Sequence, residues 1–226
     1  MQAIFFQYCL HVLPEIKEWS DYMSKVITIS RQYGSGGREI GKKLAASLDI
    51  PFYDNELIAR AVKESGFAAA AFENAEKKAT NSLLYSIAMG LNAYGSQEIG
   101  FTHLSLDDRI YLAQSDVIRK IAQEGPCVIV GRCADYVLKD MPNVVNVFIW
   151  ADMEFRKKRS IELDHLPVDK AEEEIRRIDK RRANYYNYHA NEKWGKAENY
   201  HISLRSDYIG IDNCMESIKY YIEHKI

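Results

Sequence analysis

An α/β fold, with a parallel sheet covered by helices on both faces, is the class this sequence predicts. Three observations lead there. Five short apolar runs, several rich in branched residues, read as strands buried on both sides: Val26–Ser30, Ile50–Tyr53, Cys127–Val130, Val144–Trp150 and Tyr200–Leu204. Helical segments separate most of them, and strand–helix alternation is the pattern of a parallel sheet. The first strand runs straight into a glycine-rich turn and a basic helix, Arg31-Gln32-Tyr33-Gly34-Ser35-Gly36-Gly37-Arg38-Glu39.

The elements follow in order. Arg38–Leu48 is the helix after the glycine turn. Met153–Leu163 carries charge on most faces, and Val168–Tyr186 is long and strongly charged. Asp212–His224 closes the chain with Met215, Ile218 and Ile222 in a helical stripe. The stretch Asn55–Glu124 breaks the rhythm: it is too long for one crossover helix and has no clear strand. Glu56–Lys63, Ala68–Leu91 and Asp107–Gln123 read as helices, with Gly95–Ser105 a loop. The segment is expected to be a helical insertion that covers a site. Right-handed crossovers place the strand ends, and so the site, along one edge of the sheet.

Composition narrows the function classes. The chain has 226 residues, enough for one sizeable domain or a core with an inserted subdomain. A net charge of −2 gives no global attraction to nucleic acid or membrane, so any polyanion site must be a local cluster of Arg and Lys. No apolar stretch reaches the ~20 residues of a membrane span. The four cysteines, Cys9, Cys127, Cys133 and Cys214, form no CxxC pair, which fits a reducing, cytoplasmic compartment rather than a disulfide scaffold or zinc site. Residues 1–22 include an apolar stretch, Ala3–Leu13, without a basic region before it or a small-residue cleavage site after it. They read as an extension: either Met23 is the natural start, or the segment before it is an appended helix.

Strand, flexible turn and helix N-terminus together make an anion site: backbone N–H groups point inward and the helix dipole favours negative charge. The turn is an imperfect P-loop. That pattern, G-x-x-x-x-G-K-[ST], needs a lysine for the β/γ-phosphates and a hydroxyl for magnesium. With Gly36 on its last glycine, Gly37 stands at the lysine position, Arg38 and Glu39 follow, and Arg31 occupies the first-glycine position. Arg38 is then the substitute cation. Other readings stay open. A register from Gly36 to Gly41 with Lys42 and Lys43 lacks the hydroxyl, and a Rossmann reading has Glu39 at its third glycine position, although Asp54 lies at a suitable distance downstream. A plain glycine-rich connection is the remaining alternative.

With Phe52-Tyr53-Asp54-Asn55, Val128-Ile129-Val130-Gly131-Arg132 and the late Arg-rich helix added, the chain resembles the cytidylate kinase-like family of P-loop nucleoside monophosphate kinases. The resemblance runs from about Val26 to the C-terminus and is weaker to true cytidylate kinases. It implies a three-layer α/β/α P-loop fold: a five-stranded parallel core (residues 23–54, 125–152 and 199–226), a helical acceptor-binding insertion (55–124) and a helical lid (153–198). It further implies ATP and Mg²⁺ as cofactors. Gly34, Ser35, Gly36, Gly37, Arg38 and Glu39 would hold ATP, and Asp54, Asn55, Arg60, Arg109 and Arg132 the acceptor. Guanidinium groups suit the role because they offer paired donors to phosphate oxygens and stay charged.

The lid segment carries two basic clusters, Arg156 to Arg159 and Arg176 to Arg182, around Glu172-Glu173-Glu174. Helical pairing on a solvated face explains them as well as catalysis does. In the catalytic reading Arg177 and Arg181, four residues apart, neutralise the moving phosphoryl group together with Arg38, and Arg182 comes next. The expected metal ligands are Glu39 and Ser35. The sequence departs from true cytidylate kinases at Val130, where those carry an acidic residue, and at Cys133, where they have a base-reading aspartate, so cytosine specificity does not carry over. The run Tyr185 to His189, with Trp194, is expected to pack rather than to stack a base. The expected activity is ATP-dependent phosphoryl transfer to a small phosphorylated acceptor, a nucleoside monophosphate such as CMP. The alternatives are a catalytically weak or inactive nucleotide-binding regulator, or a kinase for a non-nucleotide small molecule. Polymeric nucleic acid and membranes are not expected partners, and the sequence sets no oligomeric state.

Overall fold

The computed structural model describes residues 25–54 and 106–224, without the side chains of Leu106 and Arg109. The extension 1–22, the helices expected at 56–63 and 68–91 and the loop at 95–105 lie outside the described residues.

The strands are β1 (Val26–Arg31), β2 (Phe52–Tyr53), β3 (Cys127–Val130), β4 (Val144–Trp150) and β5 (Ile202–Arg205). They form one sheet in the order β2-β3-β1-β4-β5, every neighbouring pair parallel. The helices are α1 (Gly37–Leu48), α2 (Leu106–Glu124), α3 (Ala134–Val137), α4 (Met153–Asp164), α5 (Ala171–Ala190), α6 (Ser206–Ile209) and α7 (Ile211–His224). β3 and β4 have the bounds read from sequence. β1 is one residue longer and takes in Arg31, because its pairing with β4 continues to Arg31 opposite Ile149. The chain divides into two compact units, residues 55–120 and the remainder; of the first, only the helical stretch 106–120 is described.

Alternation decides the layers of the second unit. Ile27 and Ile29 of β1, Val128 and Val130 of β3, and Val145, Val147 and Ile149 of β4 point to one face. There they pack with Ile40, Leu44 and Ala45 of α1 and with Cys214, Ile218 and Ile222 of α7. Ile29, Ile40, Leu44, Val147, Ile149 and Ile218 are fully buried. The opposite face is more polar. Thr28 donates to Asn146 Oδ1 at 2.7 Å, while Phe148 meets Tyr200 at 4.9 Å and the edge of Trp194 at 5.5 Å between ring centroids. The result is the expected three-layer α/β/α arrangement.

The order of the strands positions the site. β1 lies between β3 and β4, so the chain changes direction across the sheet at β1. In parallel sheets ligands bind outside the carboxyl ends of the strands at such a point. The ends of β1, β2 and β3 carry Arg31, Asp54 and the Gly131-Arg132 pair.

Candidate active site

The glycine turn is held from several sides. Gln32 N–H donates to Ile149 O at 3.0 Å, and the Gln32 side chain accepts from Ala151 N–H at 3.2 Å. Gly34 and Gly36 have φ of 75° and 80°, in the left-handed region that a side chain disfavours. A Cβ on Gly34 would also stand 2.7 Å from the Arg156 carbonyl oxygen, so α4 lies directly on the turn. Gly36 is the N-cap of α1, whose ladder starts with Ile40 N–H to Gly36 O at 2.9 Å. The first-turn N–H groups of Gly37, Arg38 and Glu39 precede that ladder and so need partners from outside the helix. Tyr33 N–H is taken by the carboxylate of Asp179, on α5, at 2.7 Å. Asp179 also pairs with the buried Arg156 of α4.

Four arginines converge on one carboxylate at the strand ends. Asp54 is buried; its Oδ2 accepts from Arg38 Nε at 2.6 Å, and its Oδ1 lies 3.9 Å from Arg31. Arg31 leaves the last position of β1, crosses Gly37 and reaches Gly131. Burial and the neighbouring Arg182 push its pKa down to about 9, against the pull of Asp54. Arg132 follows β3 with φ of 61°, and burial lowers its pKa too. Arg182 comes in from α5. It donates to the Arg31 carbonyl oxygen at 3.1 Å, lies 5.4 Å over the Tyr33 ring and also has a pKa lowered by burial. Gathering cations in a place where water cannot fully solvate them is unfavourable, and a bound anion relieves it.

The structure brings some expected residues together and redirects others. Gly34 to Arg38, Asp54 and Arg132 meet in one region. Asn55 and Arg60 lie outside the described residues, and so does the side chain of Arg109, on α2. Ser35 and Glu39 are not arranged as metal ligands. Ser35 is fully buried, and its hydroxyl donates to Gln32 O at 2.8 Å with Ile149 O at 3.2 Å. The Glu39 carboxylate is paired with Arg159 at 2.6 Å and Lys43 at 3.6 Å. Among the described residues, no group of three His, Cys, Asp or Glu side chains could hold a metal ion. Arg38, expected beside the lysine position, turns to Asp54 with its side chain 65 % exposed. Arg177 stands on the outer face of α5 paired with Glu174, and Arg181 is half-buried further along. Helical phase decides this: Ile175, Asp179, Arg182 and Tyr186 share the inward face, which excludes Arg177.

The residue that sequence reasoning missed is Arg31, set down only as a misfit at a glycine position. Its place as the last residue of β1 was the available signal. Asp135, near the site in sequence, is buried and accepts from the Tyr186 hydroxyl at 2.8 Å. Of the aromatic run and Trp194, expected to pack, Tyr186 is buried and Trp194 meets Phe148, whereas Tyr188 is largely exposed.

The model of the cytidylate kinase-like family matches residues 26–208. The chain belongs to the cytidylate kinase-like family. Membership supports a P-loop kinase, a phosphotransferase, and the sheet order and glycine turn agree with that fold. An uncharacterized protein from Eubacterium ventriosum ATCC 27560 has a similar solved structure, with 28% identity over 89% of this chain and 99% of that one and a TM-score of 0.64. Shikimate kinase from Bacteroides thetaiotaomicron is also matched, at 13% identity over 88% of this chain and 99% of that one, with a TM-score of 0.49. No curated protein matches the chain.

Proposed function

We propose that this protein transfers the γ-phosphoryl group of ATP to a small phosphorylated acceptor, with a nucleoside monophosphate such as CMP as the first candidate. The observation that carries the reading is the convergence of Arg31, Arg38, Arg132 and Arg182 around Asp54, beside the first-turn amides of α1. Phosphoryl transfer needs little from a protein beyond positioning and positive charge, and this cluster supplies both. In this reading the amides from Gly34 to Arg38 hold the ATP phosphates. Asp54 and Arg132 face the acceptor, with Asn55, Arg60 and Arg109 as further acceptor residues from the sequence. Arg182 neutralises the moving group. Residues 153–198 act as the lid and 55–124 as the acceptor-binding insertion.

ATP fits this cation-rich turn. The side chains expected to hold Mg²⁺, Ser35 and Glu39, do not fit, since both are committed to protein partners; no step is assigned to the metal. Mg²⁺ bound chiefly by phosphate and water oxygens is compatible with the reading. No helix among the described residues is long and apolar enough to cross a membrane.

Arg132→Ala is expected to raise the acceptor KM and lower kcat in an assay with ATP and a panel of monophosphates. Unchanged kinetics would remove Arg132 from the site. The same commitment of Ser35 and Glu39 favours a second reading, a nucleotide-binding regulator that has lost catalysis. Calorimetric binding of ATP without any product across the panel would select it. Extending the panel to sugars and cofactor precursors addresses a non-nucleotide acceptor.

A further inference from the structure

We infer that Arg31 takes the place of the missing P-loop lysine: the cation that grips the triphosphate has moved from the first turn of α1 to the end of β1. This rests on the phosphotransferase reading and names the residue that grips the phosphates. In the P-loop pattern position 31 is glycine and position 37 is lysine; here the two are exchanged, Arg31 for glycine and Gly37 for lysine. The exchange is sterically coupled. A Cβ built on Gly37 would lie 2.5 Å from Arg31 Cβ and 2.9 Å from its Cγ, so a side chain at 37 and the arginine stem compete for one volume.

A second glycine makes room for the head group. Gly131, at the end of β3 with φ of 82°, would put a Cβ 2.2 Å from Arg31 Nη1. The guanidinium is thus housed between the glycine turn and the ends of β2 and β3. Asp54 stands 3.9 Å away, and 19% of the Arg31 side chain stays accessible. Arg182 fixes the backbone beneath it through the Arg31 carbonyl oxygen. A guanidinium at the central strand, open on one side and short of counter-charge, is placed to pair with phosphate oxygens. Arg38 is paired directly with Asp54 at 2.6 Å, with 65% of its side chain exposed, and so is the more neutralised and more solvated of the two.

Calorimetry on the full chain with ATP and with adenosine tests this, because only ATP offers phosphates. The wild type is expected to prefer ATP. Arg31→Met keeps the volume and removes the charge; it is expected to weaken ATP by at least about tenfold while adenosine changes by less than about threefold, and Arg31→Lys to retain most of the preference. The paired variant Arg31→Gly with Gly37→Lys is expected to recover the preference, whereas Gly37→Lys alone, which sets a lysine against the arginine stem, is expected to lose it. Should Arg31→Met fail to fold, the paired variant decides: recovered ATP preference supports the exchange, and a folded paired variant without it overturns the exchange. A wild type that prefers ATP while a folded Arg31→Met keeps that preference removes this inference alone. A wild type that binds neither compound removes the phosphotransferase reading and this inference with it.

Discussion

Arginines at the strand ends and arginines on the outer face of α5 are the same residue in opposite circumstances. At the strand ends Arg31, Arg132 and Arg182 are buried enough that desolvation lowers the pKa of each. On α5, Arg176 and Arg177 face solvent and pair within their own helix, with Glu172 at 2.8 Å and with Glu174. The first group is held by distant parts of the chain, and the second would form in an isolated helix. The contrast teaches that charge clustering in a sequence is a poor guide to charge clustering in space. The densest basic run points mainly to water, and the concentrated site is assembled from single arginines far apart in the chain.

The sharpest way to break this comparison is Arg182→Leu. In the proposed mechanism Arg182 faces the developing phosphoryl charge, and its loss is expected to lower kcat/KM by about 10³-fold, read in initial rates with saturating ATP. A loss no larger than that from Arg177→Ala would erase the distinction between the two groups. Next is Arg156→Met, which takes the nearer cation from the Asp179 carboxylate and leaves it to Tyr33 N–H and to Arg182, 3.9 Å away. Removing one member of a buried pair is expected to cost about 3 kcal/mol, measured by urea unfolding.

Asp135 offers a smaller effect with a defined pH dependence. Burial raises its pKa from the ordinary 3.8 to about 6, against hydrogen bonds from Tyr186 and from the backbone of residues 135 and 136, while Glu192 adds to the rise. The folded protein therefore holds this proton more tightly than the unfolded chain does. The stability it contributes is complete below about 3.8 and is lost as pH rises through about 6. Asp135→Asn keeps an acceptor for the Tyr186 hydroxyl. It is expected to match the wild type near the acid end of that window and to exceed it by on the order of 2 kcal/mol at pH 7, in denaturant titrations at both values. Equal stability of the two proteins at pH 7 would show that Asp135 is ordinarily solvated. Smallest of all, Arg177→Ala is expected to leave both the melting temperature and kcat unchanged within error, as for an exposed helical ion pair. A large drop in kcat would restore Arg177 to the role its spacing suggested.

How much was legible follows from the range of the forces involved. β3 and β4 were readable to the residue because strands buried on both faces read as nearly continuous apolar runs, broken in β4 by Asn146 alone. α1 was readable because glycine and helix-forming residues mark its start and length. The short α3 and α6 have too few positions for any period to show, while β2 was read as Ile50–Tyr53 and is formed by its last two residues. In the site, the glycine turn, Asp54 and Arg132 were visible because backbone geometry or a strand end marks them. The roles of Ser35, Arg38 and Glu39 were not. Each depends on which way a side chain turns at the head of α1, and Asp54, Arg159 and the Gln32 carbonyl decide that.

The sequence alone determined the family, the parallel sheet and the place of the glycine turn proposed to hold an anion. These follow from local patterns: apolar runs that must be buried, glycines that permit a tight bend, and a helix start that leaves amides unpaired. Only the tertiary structure decided which cation serves that site. Residues 31, 37, 54, 131 and 182 are brought together by strand order and helix phase, and the exclusion of one side chain by another is a fact of shared volume. Linear spacing carries no record of that volume, so the arginine that looked like a misfit in the motif is the one the fold sets beside the turn.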